Sequence, residues 1–147
     1  MSSSIPTSCT QVESTVLSAP IDIVWSKFRE MRLDRLAPDY VSKTESSGDS
    51  VGSVVKVFYT NNTTWELRIT EISDRNYTLA YEVLSSDTAM PFTSADGELL
   101  FQKISDTNET FLKWTTSFSN DADAQVLQDQ KYKKLDFFKA FKRSMCA

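Results

Sequence analysis

Histidine is absent from the sequence, and its absence excludes several kinds of catalytic and metal-binding site. Without imidazole groups there is no Ser-His-Asp or Cys-His nucleophile, no His-ligated zinc, and no side chain that ordinarily titrates near neutral pH. The two cysteines, Cys9 and Cys146, cannot complete a zinc site alone. No glycine-rich phosphate-binding motif is present either. We therefore expect no metal, no cofactor and no catalytic residue, and the sequence favours a protein that is not an enzyme without deciding the question.

Long apolar runs and a surplus of basic residues are also missing. No stretch of 18 consecutive apolar residues occurs, so we expect no integral membrane contact. The formal net charge is -4, which argues against nucleic acid as a partner because phosphate binding requires a basic face. The N-terminus, "MSSSIPTSCT", lacks the basic start and the apolar stretch of a secretory signal. These features predict a cytoplasmic protein with reduced cysteines, with a disulfide that joins the chain ends as the alternative.

The stretch "VLSAPIDIVWSKFREM" passes from strand to helix almost without a loop. Pro20 cannot donate into a sheet, but its fixed φ suits the first turn of a helix. The residues that follow it carry one apolar stripe at the spacing i, i+3, i+4, i+7, formed by Ile21, Val24, Trp25 and Phe28. A second short helix is predicted at Leu33–Leu36, before Ala37 and Pro38 end it.

Most of the remaining chain up to residue 119 has the pattern of β-strands separated by short turns. Apolar and polar residues alternate, as expected for strands with one covered face. Separators such as "NN", "SDRN" and "SDTN" have the length and composition of hairpin turns, so the strands form an antiparallel meander of six to seven members. The predicted strands are Gln11–Leu17, Tyr40–Glu45, Val54–Thr60, Thr64–Ile72, Tyr77–Leu84, Thr93–Ser105 and Glu109–Ser119.

The C-terminal segment from Ala122 to Arg143 predicts one long helix, because it contains neither Gly nor Pro. At ~1.5 Å per residue such a helix is about 33 Å long, enough to cross a curved sheet. Its apolar side consists of Val126, Leu127, Leu135, Phe137, Phe138 and Phe141. We expect this side to cover the apolar face of the sheet. The Ser-rich residues 1–9 predict a flexible tail, and residues 10–147 a single domain.

The order of the elements, with a strand, two short helices, a meander and one long terminal helix, resembles that of the START-like helix-grip superfamily. This group holds birch-pollen-allergen-type proteins, polyketide cyclase/dehydrases and lipid-transfer START domains. The likeness rests on "SAPIDIVWSKFREM", "GDSVGSVVKV" and "WTTSF". It implies an α+β fold in which a curved antiparallel sheet wraps around the C-terminal helix and leaves an apolar cavity between them. Because function varies widely within the superfamily, the fold does not name the ligand.

In such a fold the sheet face that looks toward the helix supplies the candidate ligand-binding residues. Aromatic rings with polar ends suit this role, since they orient a ligand in an otherwise apolar space. The predicted ligand-binding residues are Tyr59, Trp65, Leu67, Leu79, Tyr81, Leu112, Trp114, Thr116, Lys134 and Phe138. We expect Trp25 and Phe28 to be core residues. On the same strand parity, Glu66, Arg68 and Glu82 face solvent.

Three functions from different classes fit these features. The favoured one is non-catalytic binding or transport of a small hydrophobic molecule, lipid-like or aromatic, because burying an apolar ligand needs no catalytic group. The second is a polyketide cyclase/dehydratase-like enzyme that uses Tyr and carboxylates as proton shuttles. The third is a protein-interaction module with a filled core, and no oligomeric state is predicted. The basic residues of the terminal helix are expected on a solvated surface, with Lys131 or Lys134 near the cavity mouth as the less favoured interpretation.

Overall fold

A computed structural model of the chain describes residues 9–86 and 94–146. It contains one antiparallel sheet of seven strands in the order β1-β7-β6-β5-β4-β3-β2, two short helices and one long helix. The elements in chain order are β1 (Thr10–Leu17), α1 (Ile21–Phe28), α2 (Leu33–Leu36), β2 (Val41–Ser46), β3 (Val54–Tyr59), β4 (Thr64–Ser73), β5 (Thr78–Ser86), β6 (Ala95–Ile104), β7 (Glu109–Phe118) and α3 (Ala124–Cys146). The predicted α+β architecture is confirmed.

The predicted flexible tail, residues 1–9, lies outside the described residues except for Cys9, whose carbonyl accepts a hydrogen bond from the Phe118 N–H at 2.8 Å. The side chain of Cys146 and the start of the predicted sixth strand at Thr93 also lie outside them. The state of the two thiols therefore stays a prediction. No helix in the described part of the chain combines the length and the apolar content needed to cross a membrane.

The long helix α3 begins at Ala124, two positions after its predicted start. Asp123 explains the difference, because its carboxylate accepts a hydrogen bond from the Val126 N–H at 3.0 Å and so caps the first turn. The helix continues past Arg143 to Cys146, since "SMC" contains no Gly or Pro to end it. Its buried side is formed by Val126, Lys134, Phe137, Phe138, Ala140 and Phe141.

Irregular pairing curls the sheet around α3. The β2–β3 register shifts between Val41 and Lys43, and the β4–β5 register shifts twice along β4. Such bulges bend a strand and increase its twist. The curled sheet thereby presents one concave inner face to the helix.

An aromatic cluster joins α1 to the sheet and to the C-terminal half of α3. The ring of Phe28, which is fully buried, lies 5.0 Å from that of Phe101 and 4.8 Å from that of Phe141, centroid to centroid. Trp25 packs edge-on against Phe101 at 5.5 Å, and its indole N–H donates to Asp74 at 2.8 Å. The prediction that Trp25 and Phe28 are core residues is confirmed.

Strand β1 turns its two valines away from the core. Val12 and Val16 are 47% and 41% exposed, whereas Gln11 and Leu17 are buried on the inner face. The alternation that marked this segment as a strand is real, but the polar set faces inward. The inner face of the sheet therefore has a polar margin at β1.

Replacing Phe28 with Ala should lower the free energy of unfolding by about 3–5 kcal/mol, because it empties the centre of the aromatic cluster. Ile23→Ala is the matched control, since Ile23 is 47% exposed on the same helix and should change stability by less than about 0.5 kcal/mol. Urea denaturation followed by tryptophan fluorescence measures both changes. A loss below about 1 kcal/mol for Phe28→Ala would mean that the cluster does not hold α1.

Candidate ligand-binding site

A cavity of about 50 Å³ lies between the inner face of the sheet and α3. Its walls are mainly apolar, and the apolar lining consists of Phe28, Met31, Leu33, Trp65, Leu67, Leu99, Trp114 and Phe137. Its polar lining consists of Tyr40, Tyr59, Asn61, Thr63, Tyr81, Gln130, Lys133 and Lys134. A space of this size holds about four water molecules, whereas pockets for drug-sized ligands measure roughly 300–1,000 Å³. The sheet and the helix thus stand apart here, but only narrowly.

Six of the ten predicted ligand-binding residues line this cavity, namely Tyr59, Trp65, Leu67, Tyr81, Trp114 and Lys134. The structure brings them together from β3, β4, β5, β7 and α3. The other four do not line it and are buried in the adjoining core, namely Leu79, Leu112, Thr116 and Phe138. Leu79 and Leu112 face inward but lie outside the cavity because of their position along the strand. Each is two residues, about 7 Å, from a lining residue, at a level where the core is filled.

Several lining residues come from segments that the sequence did not assign to the site. Met31 and Leu33 follow α1, and Tyr40 precedes β2, where its ring meets that of Tyr59 edge-on at 5.5 Å. Met31 has a left-handed backbone with φ of 55°, which reverses the chain after α1 and turns this side chain inward. Sequence periodicity carries no signal for such a reversal. Phe137 of α3 also lines the cavity and packs against Trp114 at 5.5 Å.

Among the described lining residues, Asn61 in the β3–β4 turn is exposed, so we place the opening of the cavity between this turn and α3. The turn contributes Asn61 and Thr63, and the carboxamide of Asn61 shapes it by accepting from the Thr63 N–H at 3.1 Å. The helix contributes Gln130 and Lys133. The ammonium group of Lys133 lies 5.1 Å from the centroid of Trp65, so a cation–π contact spans the opening. We call these four residues, Asn61, Thr63, Gln130 and Lys133, the cavity mouth.

Three tyrosine hydroxyls at the cavity stay protonated over the physiological range. Burial raises the pKa of Tyr81 to about 12, against the opposing effect of the hydrogen bond that it accepts from the Trp114 N–H at 3.0 Å. Burial, together with the nearby Asp136, raises the pKa of Tyr40 to about 12. The pKa of Tyr59 is also raised, mainly by burial. These hydroxyls therefore act as hydrogen-bond donors and not as bases.

Lys134 is buried, with 2% of its surface exposed. The expectation of a solvated helix surface is therefore wrong for this residue, whereas Lys131 is exposed as expected. The ammonium group of Lys134 donates to the carbonyl oxygens of Gln11 at 3.1 Å and Trp114 at 3.4 Å, which ties α3 to β1 and β7. Burial lowers the pKa of Lys134 to about 7, and the nearby Glu13 opposes this effect.

A row of residues crosses four strands beneath Lys134. Tyr81 of β5 is paired with Gly97 of β6, Gly97 with Thr116 of β7, and Thr116 with Gln11 of β1. A Cβ atom at position 97 would overlap the Tyr81 ring, so the ring lies across the space that the glycine leaves. Among the described residues, the buried Oε1 of Gln11 and Oγ1 of Thr116 form no hydrogen bond of acceptable geometry, although Thr116 lies near the Tyr81 hydroxyl. We call Gln11, Thr116 and Tyr81 the polar row.

No carboxylate is found among the described residues that line the cavity. Glu66 and Glu82 do not line the cavity, and Arg68 and Glu82 form an ion pair at 2.7 Å on the outer face, as predicted. Within residues 9–86 and 94–146 there is no group of three or more His, Cys, Asp or Glu side chains arranged to hold a metal ion. In the part of the chain that the structure describes, the ionisable groups that line the cavity are Lys and Tyr.

No protein-family model matches the sequence, and no curated protein sequence matches it. Solved structures do resemble it. Ara h 8.0201 matches with a TM-score of 0.75 at 19% sequence identity, over 94% of this chain and 98% of that chain. Major latex-like protein 151 from Panax ginseng matches with a TM-score of 0.72 at 15% identity, over 92% and 93%. A protein from Nitrosospira multiformis matches with a TM-score of 0.78 at 18% identity, over 91% and 94%. Likeness at such identities shows the fold, and the predicted helix-grip fold is confirmed.

Gly97→Ala should place a methyl group where the Tyr81 ring lies, and we expect the free energy of unfolding to fall by about 1–3 kcal/mol. The loss should shrink in a chain that also carries Tyr81→Ala, because the ring is gone. Urea denaturation of the wild type, the two single variants and the double variant measures this coupling. Equal losses in both backgrounds would show that the ring does not occupy the space over Gly97.

Lys134 should make stability depend on pH in a direction set by its burial. Its pKa is about 7 in the folded chain and about 10.4 in an unfolded chain. Between these values the unfolded state binds more protons, so the free energy of unfolding rises with pH. We expect urea denaturation to show a rise of about 1 kcal/mol per pH unit between pH 7 and about 9.5.

Lys134→Met should abolish this rise. Lys133→Met is the control and should keep most of it, since Lys133 is only partly buried at the cavity mouth. A flat profile for the wild type over this range would contradict a buried ammonium group at position 134.

Proposed function

We propose that this protein binds a small hydrophobic molecule in the cavity between the sheet and α3, without catalysing a reaction on it. The observation that carries the proposal is an internal space with aromatic and aliphatic walls and a mouth between the β3–β4 turn and α3. Apolar walls with a few fixed polar groups are the usual lining of small-molecule sites. Burial of an apolar ligand there contributes ~25 cal/mol per Å² of surface removed from water.

A ligand of more than a few atoms requires the cavity to widen, because its present volume is about 50 Å³. The cavity mouth is the place where widening costs least. The contact of Lys133 with Trp65 is partly exposed, and a cation–π contact at such a site is worth about 0.5–1 kcal/mol. The C-terminal half of α3, in contrast, is fixed by the aromatic cluster around Phe28. We therefore propose that the ligand enters between Thr63 and Gln130.

The two other functions have less support. The enzyme hypothesis relied on tyrosines together with carboxylates, and no described carboxylate lines the cavity. The filled-core hypothesis predicts no cavity larger than a few water molecules, so the present volume of about 50 Å³ does not count against it. The aromatic and aliphatic walls of that space favour ligand binding instead. We propose binding and carriage of a small molecule in the cytoplasm, with no nucleic acid as a partner.

An apolar fluorescent or ultraviolet-silent probe should quench or shift the fluorescence of Trp65 and Trp114 and raise the melting temperature, since both indoles line the cavity. Gln130→Phe should weaken binding at least tenfold by filling the mouth. Gln128→Phe is the control, because Gln128 is exposed on the same helix and does not line the cavity. Titration of 2-naphthalenemethanol and dodecan-1-ol into each chain measures the dissociation constants.

The proposal fails if neither probe changes the fluorescence or the melting temperature of the wild type. Equal weakening by Gln130→Phe and Gln128→Phe would keep the binding but contradict the proposed entrance.

A further inference from the structure

Apart from the residues of the cavity mouth, the polar side chains that line the cavity all carry hydrogen-bond donors. Lys134 and the hydroxyls of Tyr40, Tyr59 and Tyr81 lie there, and no described lining residue is an Asp or a Glu. This contrasts with the whole chain, whose formal net charge is -4. A space with donors and a cation, but no anion of its own, selects for a ligand that brings acceptor atoms and a negative charge.

The geometry at Lys134 leaves capacity for such a ligand. An ammonium group has three N–H donors, and two are used on the carbonyl oxygens of Gln11 and Trp114. The Tyr81 hydroxyl accepts from Trp114 and keeps its own proton to donate. The Thr116 hydroxyl is buried beside Tyr81 in the adjoining core and does not line the cavity. The hydrogen-bonding capacity open to a ligand here is therefore the third N–H of Lys134 and the hydroxyl of Tyr81.

We propose that the molecule bound in this cavity is an apolar carboxylic acid, whose carboxylate is bound by Lys134 and Tyr81 while its apolar part lies among the aromatic rings. This inference rests on the proposed function and narrows it to a ligand class. A carboxylate has two oxygens that accept from different donors, so one oxygen takes the free N–H of Lys134 and the other the hydroxyl of Tyr81.

Other charged and titratable groups lie near Lys134 or share the cavity lining with it. These are Glu13 on β1, Tyr59 on β3, Tyr81 on β5, Tyr40 before β2, and Lys133 on α3 itself. Glu13 is the one anion in this set, and its carboxylate already accepts a hydrogen bond from the Gln11 side chain at 2.6 Å. A ligand carboxylate would add the negative charge that a fully protonated Lys134 lacks at close range.

Binding of an acid is then coupled to protonation of Lys134. The free protein holds this amine at a pKa of about 7, and an adjacent carboxylate moves the pKa upward. Acid binding at pH 8 should therefore take up about 0.9 proton per ligand, and affinity should fall by up to about tenfold per pH unit above pH 7. An alcohol of the same size carries no charge, so its binding should take up no proton and change little with pH.

Two matched pairs of probes test the inference on the full chain. They are 2-naphthoate with 2-naphthalenemethanol, and dodecanoate with dodecan-1-ol. Calorimetric titration in phosphate and in Tris at pH 8 measures proton uptake, and tryptophan fluorescence from pH 6.5 to 9 measures affinity. We expect each acid to bind at least tenfold more tightly than its alcohol at pH 6.5, with the difference nearly lost at pH 9.

Lys134→Met should remove the preference for the acid and leave alcohol binding within about threefold of the wild type, because methionine keeps the apolar stem. Lys131→Met is the matched control and should keep the preference, because Lys131 is exposed on the same helix and does not line the cavity. If Lys134→Met does not fold, proton uptake by the wild type still decides the question. An acid preference that survives in a folded Lys134→Met chain would overturn the role of Lys134.

The remaining outcomes separate the two proposals. Equal affinities for acid and alcohol, with no proton uptake, would overturn the carboxylate inference and leave hydrophobic binding standing. No binding of either pair would overturn both.

Discussion

Two apolar contacts at the ends of α3 determine how far this helix stands from the sheet. Near its start, Val126 packs with Ala95 and Phe118. In its C-terminal half, Phe141 packs with Phe28 of α1. The stretch between these contacts passes over the concave sheet face and leaves the cavity. Because a helix is a stiff rod, fixing its two ends also fixes the gap beneath its middle.

The middle of α3 is held by a polar contact of Lys134 beside the apolar contact of Phe137 and Phe138 with Trp114. Lys134 reaches the main chain of β1 and β7, on the side where β1 turns Gln11 inward. Burying this charge costs free energy, as the lowered pKa of Lys134 shows, so the contact contributes little to stability. The inner end of the cavity is consequently polar, whereas its walls toward Leu67 and Leu99 are apolar. A ligand in the cavity would therefore contact polar groups at one end and apolar side chains along the walls.

Sequence patterns predicted which face of a strand a residue lies on. They did not predict whether its position along the strand is beside the cavity or in the filled core. Alternation placed Trp65, Tyr81 and Trp114 on the covered face, and all three line the cavity. The same alternation included Leu79, which lies two residues from Tyr81 on the same face of β5 and is buried in the core. Parity repeats every two residues, so it cannot tell a lining position from a filled one. The contribution of Met31 depends on a left-handed residue in a chain reversal, which no periodic pattern records.

Gly97 and Tyr81 are paired on neighbouring strands, and the Tyr81 ring fills the space that a side chain at position 97 would need. Because the Tyr81 ring lies flat over Gly97, it projects less far from the sheet toward α3. The cavity is deeper there by about the thickness of a side chain. In chains descended from this one, a residue larger than glycine at position 97 requires a smaller one at position 81. The two sites are thus expected to change together during divergence, and the size of the chamber would change with them.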